Sequence, residues 1–177
     1  MKLIGIIGYA GTGKDTTAIE IKKHCKKQVC ILHFADKLKE LAYKFGWDGK
    51  KDKKGRKFLQ ILGTDVCRAY IDDYWILQLQ DTLNQSINDI VIIPDVRFPN
   101  EAKLIVECGG KLVVVKRSNH LSIWQRILFF LKPKHRSEKY YKWIKQFPHF
   151  TLDCNCRIDE IADRLKKDRY FKKLLDK

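Results

Sequence analysis

Two glycines and a lysine at the spacing G-x-x-x-x-G-K occur at Gly8, Gly13 and Lys14, within GYAGTGKDTT at residues 8–17. That spacing suits phosphate chemistry. Glycines let consecutive backbone N–H groups turn inward around phosphate oxygens. A helix start adds its partial positive charge, and a lysine at its mouth reaches the β- and γ-phosphates. The apolar run LIGII at residues 3–7 supplies a strand in front of the loop, and the residues behind it have helical character. The position after the lysine, where a Ser or Thr hydroxyl would hold Mg²⁺, is Asp15, and hydroxyls follow one residue later at Thr16 and Thr17. Gly11, Gly13, Lys14, Asp15, Thr16 and Thr17 are therefore the candidate residues for the phosphates of a nucleoside triphosphate, with Asp15 also a candidate metal ligand. The competing account is a chance Gly-rich strand-to-helix turn; agreement of strand, loop and helix signals weighs against it.

A second group of chemistry-bearing residues follows another apolar run, IVII at residues 90–93. Asp95 stands where a carboxylate would hold Mg²⁺ through water, or would cap the helix that Pro99 begins. Arg97 offers a planar fork for bidentate phosphate binding, or a salt bridge to Glu101 four residues on. Arg56, Lys57 and Arg68 could grip a substrate phosphate or form a solvated charged face. Tyr74 and Trp75 could stack on a base or pack in the core. Asp36 could reach a sugar or base; a plain helix N-cap is the simpler reading.

The elements that must position these groups alternate as strand and helix. Strands are expected over residues 2–7, 28–34, 89–94, 111–116 and 150–154, and helices over 14–25, 36–45, 57–70, 74–86 and 99–108. Residues 46–55 read as a lysine-rich loop. Ile158, Ile161 and Leu165 mark the inner face of a terminal amphipathic helix. This is the pattern of a three-layer α/β domain around a five-stranded parallel sheet, with ligands beyond the carboxyl ends of the strands. A single domain over residues 1–177 is expected, within which residues 36–87 hold the candidates, Arg56, Lys57 and Arg68, for gripping a substrate phosphate. The basic, aromatic-rich excursion at 118–147 is read as a helical lid. Its Arg126, Lys132, Lys134, His135 and Arg136 would close over ATP and exclude water. The apolar stretch at residues 124–131 offers the alternative of a surface helical hairpin with a dimer or membrane-surface role.

Bulk properties bound the function. A chain of 177 residues with 45% hydrophobic content can bury a proper core. No stretch approaches the ~20 apolar residues needed to cross a bilayer, and Met1 precedes the first strand too closely for a signal peptide. A cytoplasmic protein is expected, with no membrane partner. Six scattered cysteines fit buried or incidental thiols in a reducing compartment. The net charge of +15 includes six basic residues among positions 50–57. Such charge admits polyanion binding, but the absence of interleaved aromatics argues against nucleic acid as a partner.

The ordered set GKDT at 13–16, RKFLQILGTD at 56–65, YW at 74–75, PDVR at 94–97 and H-x-S-E at 135–138 resembles the deoxynucleoside monophosphate kinases encoded by tailed phages. The likeness runs along nearly the whole chain, including the closing LDCNCRIDEIADRL. It implies a P-loop kinase fold and phosphoryl transfer from ATP, with Mg²⁺, to a deoxynucleoside 5′-monophosphate. It also implies a host-cell cytoplasmic setting. Carried over by motif, Gly13, Lys14, Asp15 and Thr16 look like the ATP-phosphate and metal site, and Lys57, Gly63 and Trp75 like part of the acceptor pocket. Asp95, Arg97 and Glu101 look like groups facing both substrates. Where family members often carry a basic residue inside the loop, this chain has Ala10 and Gly11. Related architectures phosphorylate other acceptors, of the phosphomevalonate and dephospho-coenzyme A type. An ATP-dependent nucleic-acid-binding protein is a further alternative.

Overall fold

The computed structural model describes residues 1–117, 141–144 and 146–175. In chain order the elements are β1 (Lys2–Ile7), α1 (Lys14–His24), β2 (Val29–Ile31), α2 (Phe34–Lys44), α3 (Lys53–Gln60), a π-helix (Ile61–Arg68), α4 (Tyr74–Asn84), β3 (Ile90–Val96), α5 (Pro99–Glu107), β4 (Lys111–Lys116), α6 (Tyr141–Ile144), β5 (His149–Asp153), a 3₁₀ turn (Ile158–Glu160), α7 (Ile161–Leu165) and α8 (Arg169–Leu175). They form two compact units, Met1–Ile31 with Asn88–Lys177, and Leu32–Ile87.

The first unit is built on a five-stranded sheet in the order β2-β3-β1-β4-β5, with every pairing parallel. Parallel strands covered on both faces need near-continuous apolar sequence, and β1, β3 and β4 supply it. Ile4 and Ile6 of β1 point to a core shared with Ala18 and Ile21 of α1 and with Leu165 and Phe171 of the closing helices. Gly5 faces the other way. A Cβ there would collide with Ile105 Cδ1 of α5 and stand 2.8 Å from Leu112 Cδ2, so the bare backbone is what lets α5 lie close on the sheet.

This arrangement positions the site. α1, which follows β1, packs against one face; α5, which follows β3, packs against the other. Since β1 and β3 are neighbours, the chain leaves adjacent strands in opposite directions, and the crevice so formed is where an open α/β sheet binds ligands. The phosphate loop leaves β1 here, Asp95 lies among the last residues of β3, and Arg97 follows that strand.

β3 runs past Pro94, where the sequence had ended it. The register moves from Gly5↔Ile93 to Ile7↔Val96, so β3 carries one extra residue against β1 at Pro94–Asp95. Proline has no N–H for the ladder, and a bulge accommodates it. Asp95 therefore belongs to the strand rather than to the loop after it. At the carboxyl end of the chain, the expected single helix is a 3₁₀ turn followed by two short helices. Ile158, expected on the inner face, is 59% exposed, because the tighter turn rotates it away from Ile161 and Leu165, which are buried.

In the second unit, α2 starts two residues before the expected Asp36. His33 is its N-cap, and Asp36 sits at the third helical position and accepts from the His33 backbone N–H at 3.2 Å. The capping-box geometry corrects the reading of Asp36 as the N-cap. The loop expected over 46–55 ends earlier, since Asp52 caps α3 by accepting from Gly55 N at 2.7 Å. The helix expected over 57–70 is α-helical only to Gln60 and π-helical from Ile61 to Arg68.

Candidate active site

The loop after β1 is shaped by its glycines and by one carbonyl. Gly11 and Gly13 adopt left-handed backbone angles, φ 78° and 95°, which side chains disfavour. Gly13 is the N-cap of α1 and offers no side chain to the helix start, so the first N–H groups of α1 stay directed at the loop. The Tyr9 carbonyl accepts the Thr12 backbone N–H at 3.3 Å, the Thr12 hydroxyl at 2.9 Å and the Lys14 ammonium at 2.8 Å. Gly8 begins the loop where no side chain fits: a Cβ would stand 2.6 Å from Thr12 Oγ1 and 2.9 Å from the Val115 carbonyl. The result is a concave anion cradle with Lys14 at the mouth of a helix.

Asp15 is exposed in the first turn of α1, and Thr16 is half-buried beside it. Thr17 differs from its sequence reading. It is fully buried, its hydroxyl donates to the Gly13 carbonyl at 2.9 Å, and it lies 3.7 Å from Cys154 Sγ. One helical residue beyond Thr16 turns the side chain into the core, so Thr17 anchors the loop from below. Burial pushes the Cys154 thiol above its ordinary range, with the Thr17 hydroxyl opposing the shift.

At the end of β3, Asp95 is half-buried and Arg97 is exposed. Glu101 is only 2% exposed, and its Oε2 accepts the backbone N–H groups of Arg97 at 2.6 Å and Phe98 at 3.0 Å. Glu101 thus caps α5, and the tie it makes to Arg97 runs through the Arg97 backbone. Through these bonds it fixes the turn that carries Asp95 and Arg97.

The acceptor candidates lie in the second unit. Lys57 is exposed on α3. Gly63 lies in the π-helix, where a Cβ would stand 2.9 Å from Leu38 Cδ2 of α2. Arg68 is 6% exposed, and its Nη1 donates to the Asp72 carbonyl at 3.0 Å. Trp75 is 4% exposed, meets Tyr74 edge-on, and donates its indole N–H to the Gly63 carbonyl at 2.9 Å. The structure favours the packing account of Trp75 over base stacking. The lid candidates Arg126, Lys132, Lys134, His135 and Arg136, and the apolar stretch 124–131, lie outside the described residues.

Sequence reasoning missed Thr12 and Tyr9. Thr12 is 3% exposed and organises the loop through its hydroxyl, while Tyr9 acts through a backbone carbonyl that any residue type would provide. His33 was missed as a cap because histidine is not among the favoured N-cap residues.

Phosphate cradle, helix-mouth lysine and strand order together define a P-loop kinase. Solved structures agree on the fold. Shikimate kinase from Aquifex aeolicus superposes with a TM-score of 0.54 at 13% identity, over 97% of this chain and 98% of that one. Shikimate kinase from Bacteroides thetaiotaomicron gives 0.53 at 12%, over 94% and 97%.

The deoxynucleotide monophosphate kinase family matches residues 47–127. A protein of Acanthamoeba polyphaga mimivirus named as a deoxynucleotide monophosphate kinase is 31% identical over 149 residues, 66% of this chain and 75% of its own length. The deoxynucleoside-5′-monophosphate kinase of Escherichia phage T5 is 38% identical over 53 residues, 29% of this chain and 21% of that one. The chain belongs to the deoxynucleotide monophosphate kinase family. Among the described residues no helix is long and apolar enough to cross a membrane.

Proposed function

We propose that the protein transfers the γ-phosphoryl group of ATP to the phosphate of a deoxynucleoside 5′-monophosphate, giving ADP and a deoxynucleoside diphosphate. The observation that carries this is the preformed cradle: Gly11 and Gly13 at positive φ, an open α1 start, and Lys14 at its mouth. Family membership supports the choice of acceptor.

In this reading an acceptor phosphate oxygen attacks the γ-phosphorus in line, the bond to the β–γ bridging oxygen breaks, and ADP leaves with that electron pair. The attacking oxygen is already anionic at neutral pH, so no general base is required. The work left to the protein is positioning and charge neutralisation. Backbone N–H groups of the loop and Lys14 hold the donor phosphates. Arg97 and Arg136 are assigned to neutralising charge on the transferring group. Lys57 and Arg68 serve the acceptor.

The residues fit a magnesium ion held largely by substrate phosphates. Asp15 is exposed beside Lys14, and Asp95 is half-buried at the end of β3. Among the described residues no three His, Cys, Asp or Glu cluster as an all-protein cage would need. Asp15 and Asp95 would hold the ion, and when bound it supplies neutralisation of charge on the phosphates.

The test is a coupled ADP-release assay with Mg-ATP and each of dGMP, dTMP, dCMP, dAMP and the matching ribonucleotides. Turnover with at least one deoxynucleotide supports the reading and ranks the bases. Activity with none, alongside intact ATP binding, overturns it.

A further inference from the structure

Part of the net charge of +15 is collected at one end of the first unit, away from the phosphate loop. Lys2 and Lys111 open the neighbouring parallel strands β1 and β4. Their ammonium groups lie 5.6 and 6.0 Å from the centre of the Tyr170 ring in α8. The end of α1 reaches the same helix, where the Cys25 thiol donates to the Leu174 carbonyl at 3.8 Å. Lys26 and Lys27 follow α1, and Lys172 and Lys173 stand in the last turn of α8, all four exposed.

The carboxylates at this end are engaged otherwise. Glu20 is buried and faces Lys23 at 3.9 Å and His24 at 3.3 Å. Asp168 accepts the backbone N–H groups of Tyr170 at 2.9 Å and Phe171 at 3.4 Å, and Asp89 accepts that of Gln28 at 3.3 Å. Among the described residues, Lys2, Lys26, Lys27, Lys111, Lys172 and Lys173 enter no ion pair. Helix dipoles account for cations in a last turn, as at Lys172 and Lys173. They do not account for Lys26 and Lys27 beyond α1, or for two lysines sharing one aromatic ring at the start of adjacent strands.

Such a surface binds by charge. A membrane-surface site would add an apolar face, and a protein interface would add aromatic anchors. Among the described residues near this end, the exposed large apolar side chains are Met1 and, a turn back along α1, Ile19. The Tyr170 ring is already occupied by two lysines.

We propose that this end of the protein docks on the phosphate backbone of duplex DNA, held by release of counterions and without reading sequence. The lack of interleaved aromatics bears on stacked single strands; a duplex backbone needs cations alone. The choice of DNA over RNA rests on the deoxynucleotide reading of the function. The phosphate loop leaves the opposite end of β1, roughly 17 Å away at about 3.3 Å per residue, so the docked protein keeps its cradle open to nucleotide.

The experiment titrates the full chain into a fluorescein-labelled DNA duplex of arbitrary sequence and reads anisotropy across a series of NaCl concentrations. Expected is a Kd of about 10⁻⁴–10⁻⁶ M at physiological salt, alike for unrelated sequences, with log K falling against log[NaCl] at a slope of about −3 or steeper. A flat salt dependence overturns the proposal. The variant Lys26→Gln/Lys27→Gln/Lys172→Gln/Lys173→Gln should bind about tenfold or more weakly with a shallower slope. The charge-matched variant Lys44→Gln/Lys51→Gln/Lys53→Gln/Lys54→Gln, in the second unit, should stay near the wild type. Equal losses in the two would mean net charge alone and overturn it. The wild type should bind a non-hydrolysable ATP analogue equally well with and without duplex; displacement of one by the other would put DNA on the phosphate loop and overturn the assignment. Phosphatidylserine vesicles or duplex RNA bound more tightly than duplex DNA would overturn the choice of partner. None of these readings involves turnover, so their failure leaves the kinase reading standing, and a failed kinase assay leaves them readable.

Discussion

The ammonium of Lys14 lies 2.8 Å from the carbonyl oxygen of Tyr9, so the cation of the phosphate loop is held by the loop's own backbone. The same oxygen takes both the N–H and the hydroxyl of Thr12. The cradle is set before any nucleotide arrives, which spares reorganisation during the reaction.

Lys14→Met should therefore lower kcat by roughly 10²–10³-fold, the scale for losing one preorganised group at developing charge. Far-UV circular dichroism should be unchanged. A variant retaining near-wild-type turnover would remove Lys14 from the mechanism.

The two ends of the loop should respond differently to a methyl group. At Gly13 a Cβ meets nothing within 4 Å, so the penalty for Gly13→Ala is the left-handed backbone alone, about 1–2 kcal/mol. Gly13→Asn should fare better, because Asn tolerates that region. At Gly8 the obstacle includes the Val115 backbone carbonyl, which cannot swing aside, and Gly8→Ala should lose more stability and ATP affinity than Gly13→Ala. Thermal melts and calorimetric titration with a non-hydrolysable ATP analogue give the order.

Gly5 predicts a rescue. Gly5→Ala overpacks the contact with Ile105 Cδ1 and should cost about 1–3 kcal/mol. Ile105→Val removes that methyl carbon. It should destabilise the wild type by roughly 0.5–1.5 kcal/mol yet raise the melting temperature of Gly5→Ala. Simple additivity in the double variant would mean that α5 yields elsewhere.

Asp36 gives α2 a pH-dependent start. Burial pushes its carboxyl up, but Lys39 at 2.7 Å and His33 at 3.3 Å outweigh this and hold it below its ordinary 3.8. A depressed folded value means the stabilisation is fully present above that ordinary value and lost as pH falls through the folded one. The melting-temperature gap between wild type and Asp36→Asn should be constant near neutrality and shrink below about pH 4. A gap that grows on acidification would contradict the assignment.

Where one chemical pattern governs an element, its bounds were legible: β1 and β4 fall on the residues their apolar runs mark. β3 was cut short because proline ordinarily ends a ladder, and the bulge that absorbs Pro94 depends on the register with β1. The π-helix was not legible: the contacts that Gly63 makes there, with Leu38 and Trp75, are distant in sequence. In the site, Gly11, Gly13 and Lys14 announce themselves through residue type. Thr17 carries a hydroxyl at a plausible place, and only helix rotation assigns that hydroxyl to the core. For Glu101 the residue type alone does not tell that its Oε2 accepts two backbone N–H groups.

The strand order also sets a timetable for synthesis. Among the described residues β1, the central strand, pairs with β3 and β4, and the earliest of these partners in sequence is Ile90. During synthesis this almost wholly apolar strand and the cradle it supports emerge long before β3 and β4. The whole of Leu32–Ile87 emerges in the interval. Delayed long-range pairing is slow and leaves aggregation-prone edges open. The nascent protein thus passes through a window in which α1 has little sheet to pack on, and a chaperone that shields residues 2–7 would matter more to its yield than any shielding of the later strands.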